Sequence, residues 1–209
     1  MANDLATLRE YLAIAVRDTN AETWSTAELD DLVRWSVARL WPRHSYQYSP
    51  TSKTVTLVAD TYHYNLPSNI NHIARCEWYT SGGDEYGALD GAAWELVGDV
   101  DNGTAKLHVA PIVVDQGGIL RLLAYTKYDT TTHLIPDDLV QLVLAYSRAE
   151  AYRRLAGDRQ RFTAWLSRNQ TQNISINEML QMINEAETEA RRLKAERKTW
   201  QKPVPGRQG

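Results

Sequence analysis

Five histidines, one cysteine and three adjacent carboxylate pairs are where chemistry would first be sought in this chain. The histidines are His44, His63, His72, His108 and His133. None belongs to a His-Glu-x-x-His pair, and none accompanies a nucleophile-elbow glycine pattern. His63 and His72 could meet across a hairpin, with Asp60 beside them, but a half-exposed strand histidine is the preferred reading. Cys76 lies in the strand-like run Ile73-Ala74-Arg75-Cys76-Glu77-Trp78 and reads as a small packed residue. A single cysteine excludes an intramolecular disulfide and a thiolate cluster. Asp137 and Asp138 suit a helix first turn, where negative charge complements the dipole. Asp30-Asp31 falls early in another helix, and Asp84-Glu85 follows a glycine pair. A glycosidase needs two carboxyls facing each other across a cleft, and these spacings do not supply that. Gly82-Gly83, Gly103 and Gly117-Gly118 lack the phosphate-cradling patterns and read as turns. The expectation is no catalytic residue, no metal, no cofactor and no enzyme activity.

Two sets of basic residues remain. Arg148, Arg153, Arg154, Arg159, Arg161 and Arg168 cluster around the end of one helix and the next short one. They are read either as a solvated face or as a subunit interface, because arginine is favoured where proteins meet. From Arg191 onward the basic residues are Arg191, Arg192, Lys194, Arg197, Lys198, Lys202 and Arg207, against Glu196 alone. Three readings compete: a solvated end, a nucleic-acid arm with only Trp200 to stack, and an anchor that orders on a partner. In the anchor, Trp200 is the apolar plug, the basic residues are its charge complement, and Pro203 and Pro205 limit the ordering entropy.

The elements that position these residues announce themselves at helix starts. Trp24-Ser25-Thr26-Ala27-Glu28-Leu29 and Ile174-Ser175-Ile176-Asn177-Glu178-Met179 each place serine at N-cap and glutamate at N3. Each also places an apolar residue before the cap and another at N4, a capping box with a staple. Leu5, Leu8, Leu12 and Val16 predict a first helix over 4–17, and a second over 26–41 is stopped by Pro42. From 46 to 133 the period changes to that of strands, at 53–58, 61–66, 73–80, 92–97, 106–109 and 119–125. Ala59-Asp60 predicts a turn, and Asn102-Gly103 a hairpin between the strands on either side. A third helix starts at Pro136 and is apolar on nearly every face, which predicts burial at the centre of a bundle. A short helix over 158–168 and a fourth from the second capping box follow.

The fold class expected is therefore α+β: mainly a helical bundle, with an inserted small antiparallel β domain and an extended basic C-terminal tail. The bundle comprises 1–45 and 134–190, the β domain 46–133 and the tail 191–209. A chain of 209 residues buries roughly 70% of its unfolded surface and needs no staples. Its net charge of −3 lacks the overall basic footprint of a nucleic-acid binder. The first residues show no signal-peptide pattern, and no apolar run approaches the roughly 18 residues of a membrane span. No membrane anchor is expected.

Several of these segments, taken in order, resemble the head–tail adaptor (connector) proteins of tailed bacteriophages. They are the Trp24-to-Leu29 helix start, Tyr64-Asn65-Leu66-Pro67 at a strand end, Leu120-Arg121-Leu122 in a late strand and Ile135-Pro136-Asp137-Asp138-Leu139 at a buried helix start. The resemblance covers most of 4–190. It implies a homo-oligomeric ring, usually of twelve copies, with the portal above and a tail or neck protein below. Double-stranded DNA would pass through it unread. It implies a virion protein at the head–tail junction, made in the host cytoplasm. It also implies that the C-terminal segment reaches the portal, which assigns docking to Arg191, Arg192, Lys194, Arg197, Lys198, Trp200, Lys202, Pro203, Pro205 and Arg207. Two other functions stay open on the residues alone. One is a carbohydrate-binding or carbohydrate-active tail component using Tyr62, Tyr64, Trp78, Tyr79 and Trp94. The other is a DNA-binding module using the basic tail.

Overall fold

A computed structural model describes residues 3–20, 22–80, 82, 85–99, 104–169 and 174–196. The chain divides into two compact units, one formed by Met1–His44 with Tyr128–Thr199 and the other built on Ser45–Lys127.

The first unit is helical. It holds α1 (Leu5–Ala15), α2 (Thr26–Ala38), α4 (Asp137–Gly157), α5 (Arg159–Arg168) and α6 (Ile176–Glu196). Both serine caps form as their spacing predicts. The Ser25 N–H donates to Glu28 Oε2 at 2.9 Å, and the Glu28 N–H donates back to Ser25 Oγ at 3.3 Å. At α6 the matching distances are 2.6 and 3.2 Å between Ser175 and Glu178. Asp18 fixes the connection between α1 and α2. Its buried carboxylate accepts the N–H groups of Glu22, Thr23 and Trp24 at 2.7 to 3.1 Å, which satisfies a charge otherwise costly to bury. Helix α4 buries Leu139, Val140, Leu142, Val143, Ala145, Ala149, Ala151, Tyr152 and Leu155 and packs against α1, α2, α5 and α6. Ser147 Oγ on α4 lies 2.8 Å from Ser36 Oγ on α2, and Ser36 Oγ donates to the Leu32 carbonyl at 2.9 Å. Trp165 is wholly buried, and its indole N–H reaches the Val16 carbonyl at 3.2 Å.

The second unit has two antiparallel sheets. The larger places β8 (Ile119–Thr126) between β4 (His72–Tyr79) on one side and β1 (Tyr46–Gln47) with β2 (Thr54–Thr56) on the other, and β5 (Glu85–Ala88) flanks β4. The smaller runs β3 (His63–Asn65), β7 (Lys106–Val109), β6 (Trp94–Val97). A four-residue helix α3 (Pro111–Val114) joins β7 to β8. In β8, Leu120, Leu122, Ala124 and Thr126 are buried and alternate with half-buried neighbours, the period-2 pattern of a strand with one face on a core. Leu120, Leu122 and Ala124, with Cys76, Leu107 and Val109, belong to a core of this unit's own. A tight turn precedes β8. Gly118 has φ +100°, and a Cβ there would lie 2.2 Å from the Tyr79 carbonyl oxygen, so only glycine fits. The Trp78 indole donates to the Gly117 carbonyl at 2.7 Å beside it.

Two expectations are corrected, and one predicted turn is found joining different sheets. The chain is not mainly a helical bundle with a small β addition. It is a mixed α and β protein whose two antiparallel sheets enclose a full core. The reason is that short runs such as β1, β5 and α3 are too brief to show a period, yet together they complete sheets and connections. The strands flanking Ala59-Asp60 do not pair with each other. The turn exists, with Asp60 at φ +61°, but β2 joins β8 while β3 joins β7. The extended tail does not begin at 191 either, because α6 continues to Glu196. Arg191 pairs with Glu187 and Arg192 with Glu196 one turn apart, and Leu193 packs on the core, so this stretch has reasons to stay helical.

Candidate functional site

The arginine cluster lies on the surface of the helical unit, and acidic partners of the same unit meet most of it. Arg148 on α4 pairs with Glu189 on α6, and Arg153 pairs with Glu150 and with Glu187 of α6. Arg154 Nε sits 3.3 Å from Glu150. Arg161 on α5 reaches Glu28 at the start of α2 at 2.9 Å and stacks over the Trp24 ring at 4.9 Å. Arg168 binds Glu22 at 3.3 Å. Arg159 is exposed and makes no ion pair among the described residues. Helices α4 and α6 run antiparallel and bring these opposite charges face to face. Each such pair contributes little, about 0.2–1 kcal/mol at the surface. Together they make a mixed-charge face whose arginine side chains are 31 to 45% exposed. Such a face can offer both signs of charge to a partner protein.

Glu28 links this face to the helix start. Burial opposes its charge, but the Ser25 N–H and hydroxyl, and then Arg161, hold the carboxyl below its ordinary value. Glu178, capped in the same way by Ser175, is also held low.

Of the docking residues assigned to the C-terminal segment, Arg191, Arg192 and Lys194 stand on the last turns of α6. Arg197, Lys198, Trp200, Lys202, Pro203, Pro205 and Arg207 lie outside the described residues.

The remaining chemistry-bearing side chains occupy structural positions. Asp30 pairs with Arg9 at 3.1 Å, and Asp137 accepts from the Asn3 amide at 2.7 Å. Asn3 and Asp137, with Tyr11, Ile14, Val140, Gln141 and Leu144, line a cleft of about 370 Å³. Asp84 and the Glu85 side chain lie outside the described residues. Cys76 is wholly buried, and burial pushes its thiol far above the ordinary range, so it is a poor nucleophile. Asp129 accepts the N–H groups of Thr131 and His133 at 2.7 and 3.0 Å and meets His133 Nδ1 at 3.3 Å, which closes a turn. Among the aromatic residues weighed as a sugar platform, Tyr64 and Tyr79 are buried, and Trp78 is held by Gly117.

His63 does not meet His72. Its neighbour is His108, directly across β3 and β7, with ring centroids 4.7 Å apart. His72 faces Tyr125 in the other sheet. The sequence carries each histidine in a strand-like run, but the pairing joins positions 45 residues apart and leaves no local signal. Among the described residues, no group of three metal-binding side chains converges.

No protein-family model matches this chain, and no curated protein matches it either. No helix among the described residues is long and apolar enough to cross a membrane.

Proposed function

We propose that this protein is a structural virion component, a head-to-tail adaptor. Copies form a ring under the portal and join the capsid vertex to the tail while DNA passes through. The observation that carries the reading is where the resembling segments fall. Trp24-Ser25 caps α2, Tyr64 to Leu66 closes β3, and Ile135-Pro136 leads into α4. A helical unit is thus interrupted between α2 and α4 by a β unit, in the order the resemblance implies.

Surface chemistry supports the same reading. A closed ring of identical subunits needs two different, matching faces on each copy. The helical unit exposes large apolar side chains on two elements, Ile14 on α1 and Ile176 with Leu180 on α6. It also presents the mixed-charge face of α4 to α6. A net charge of −3 suits a channel that must release DNA rather than hold it. The C-terminal segment from Arg191, with Trp200 as its apolar anchor, docks on the portal in this proposal.

The test is to mix the purified protein with a portal protein from the same genome and image the product by electron microscopy. Rings of added density beneath the portal are expected. A portal that stays bare at saturating protein overturns the adaptor reading. Removing 197–209 separates the docking role from ring formation. Unchanged portal binding in that truncated chain would overturn the role given to the segment alone.

A further inference from the structure

We propose that His63 and His108 form a two-histidine site for a divalent transition metal, with zinc the best fit, that clamps β3 to β7. Two observations carry it. The first is geometric. The Val109 N–H donates to the Tyr62 carbonyl at 2.9 Å, so His63 and His108 occupy the next, non-hydrogen-bonded pair of the ladder. In such pairs the side chains approach most closely. Their ring centroids are 4.7 Å apart and the planes are tilted by 39°. With metal–nitrogen bonds near 2.0–2.1 Å, two imidazoles on one ion at bond angles of 90 to 109° have centroids about 4.5–5.2 Å apart. The observed spacing falls in that window.

The second observation is an orphan. His108 Nδ1 is buried and has no hydrogen-bond partner among the described residues. A buried polar atom in that condition costs free energy, and a cation shared with His63 would supply its missing partner. Neutral imidazole suits zinc, copper and nickel rather than magnesium or calcium. Glu95 on β6 is the residue opposite His108 on its other side, so a carboxylate flanks the pair. No third ligand is preformed among the described residues, and water completes the coordination.

Bound metal adds a cross-link between β3 and β7 and stabilises the folded β unit by mass action. This inference is independent of the adaptor reading. The experiment uses the full chain, free of affinity tag and chelator-treated, titrated with zinc chloride at pH 7.5 by calorimetry. Thermal melts are taken in parallel. One saturable equivalent is expected, together with a higher midpoint in zinc and none of that rise in magnesium. H63A, at an exposed position, should weaken zinc binding at least tenfold and abolish the rise. H72A should leave both unchanged. Absence of saturable binding, or H63A binding zinc as well as the parent, overturns the site. Equal losses in H63A and H72A would also overturn it, because they mean dispersed surface binding.

Discussion

In the helical unit, polar groups are matched at element ends and between element surfaces. Ser25 and Ser175 close α2 and α6, Asp18 gathers three N–H groups, and arginines of α4 and α5 meet glutamates of α2 and α6. In the β unit, polar groups are matched along backbone ladders, and side chains intervene at a few turns. Trp78 holds Gly117, Tyr64 holds the backbone of Val58, and Asn71 receives Thr126 and the N–H of Lys127. The difference is physical. A helix satisfies its own interior and leaves four orphan groups at each end, whereas a strand satisfies nothing until another strand arrives. The helical unit is therefore built from locally determined pieces, and the β unit from distant agreements.

The largest expected effects come from cutting each core. L142A in α4 and L122A in β8 both remove wholly buried side chains, and each should cost about 2–5 kcal/mol. Because the two side chains belong to separate cores, L142A should move the helical signal at 222 nm first in urea. L122A should move the near-ultraviolet signal of the β-unit aromatics. A single transition shifted equally by both would break the comparison and make the chain one cooperative body.

Next in size is Gly118→Ala. The residue sits at positive φ, and a methyl group meets the Tyr79 carbonyl. A loss of about 1–3 kcal/mol is expected, confined to the β-unit transition. Gly157→Ala, where a Cβ meets nothing, serves as the neutral control and should change stability by well under that amount in the helical unit.

Smaller still are the caps. Ser25→Ala and Ser175→Ala should each cost about 1 kcal/mol, read by chemical denaturation of the full chain. Acid sharpens the point. Glu28 and Glu178 are held below their ordinary values in the folded protein, so their contribution is complete above the carboxylate range of the unfolded chain. It is lost as pH falls through the lower folded values. Stability measured from pH 6 down to pH 3 should therefore fall less steeply in the E28Q E178Q double variant than in the parent. An unchanged slope would detach the caps from the acid response.

The same division explains what could be read ahead of the structure. Both capping boxes, the central position of α4 and the pairing of β6 with β7 were legible, since each is written within a few residues. The separation of β2 and β3 into different sheets was not, nor was the weight of the β unit, because β1 and β5 gain meaning only from β8 and β4. For the candidate surface, the arginines were legible as residues. That glutamates of α2 and α6 meet them was not, since those pairs span up to 133 positions.

By itself, the sequence determined where helices begin, which helix lies at the centre of its unit and which positions alternate, because propensity, capping and periodicity act over one to three turns. Only the tertiary structure decided which strands share a sheet, which arginines meet which glutamates, and that His63 stands against His108. Those outcomes depend on closing long loops around a common core, and no short stretch of chain contains that information.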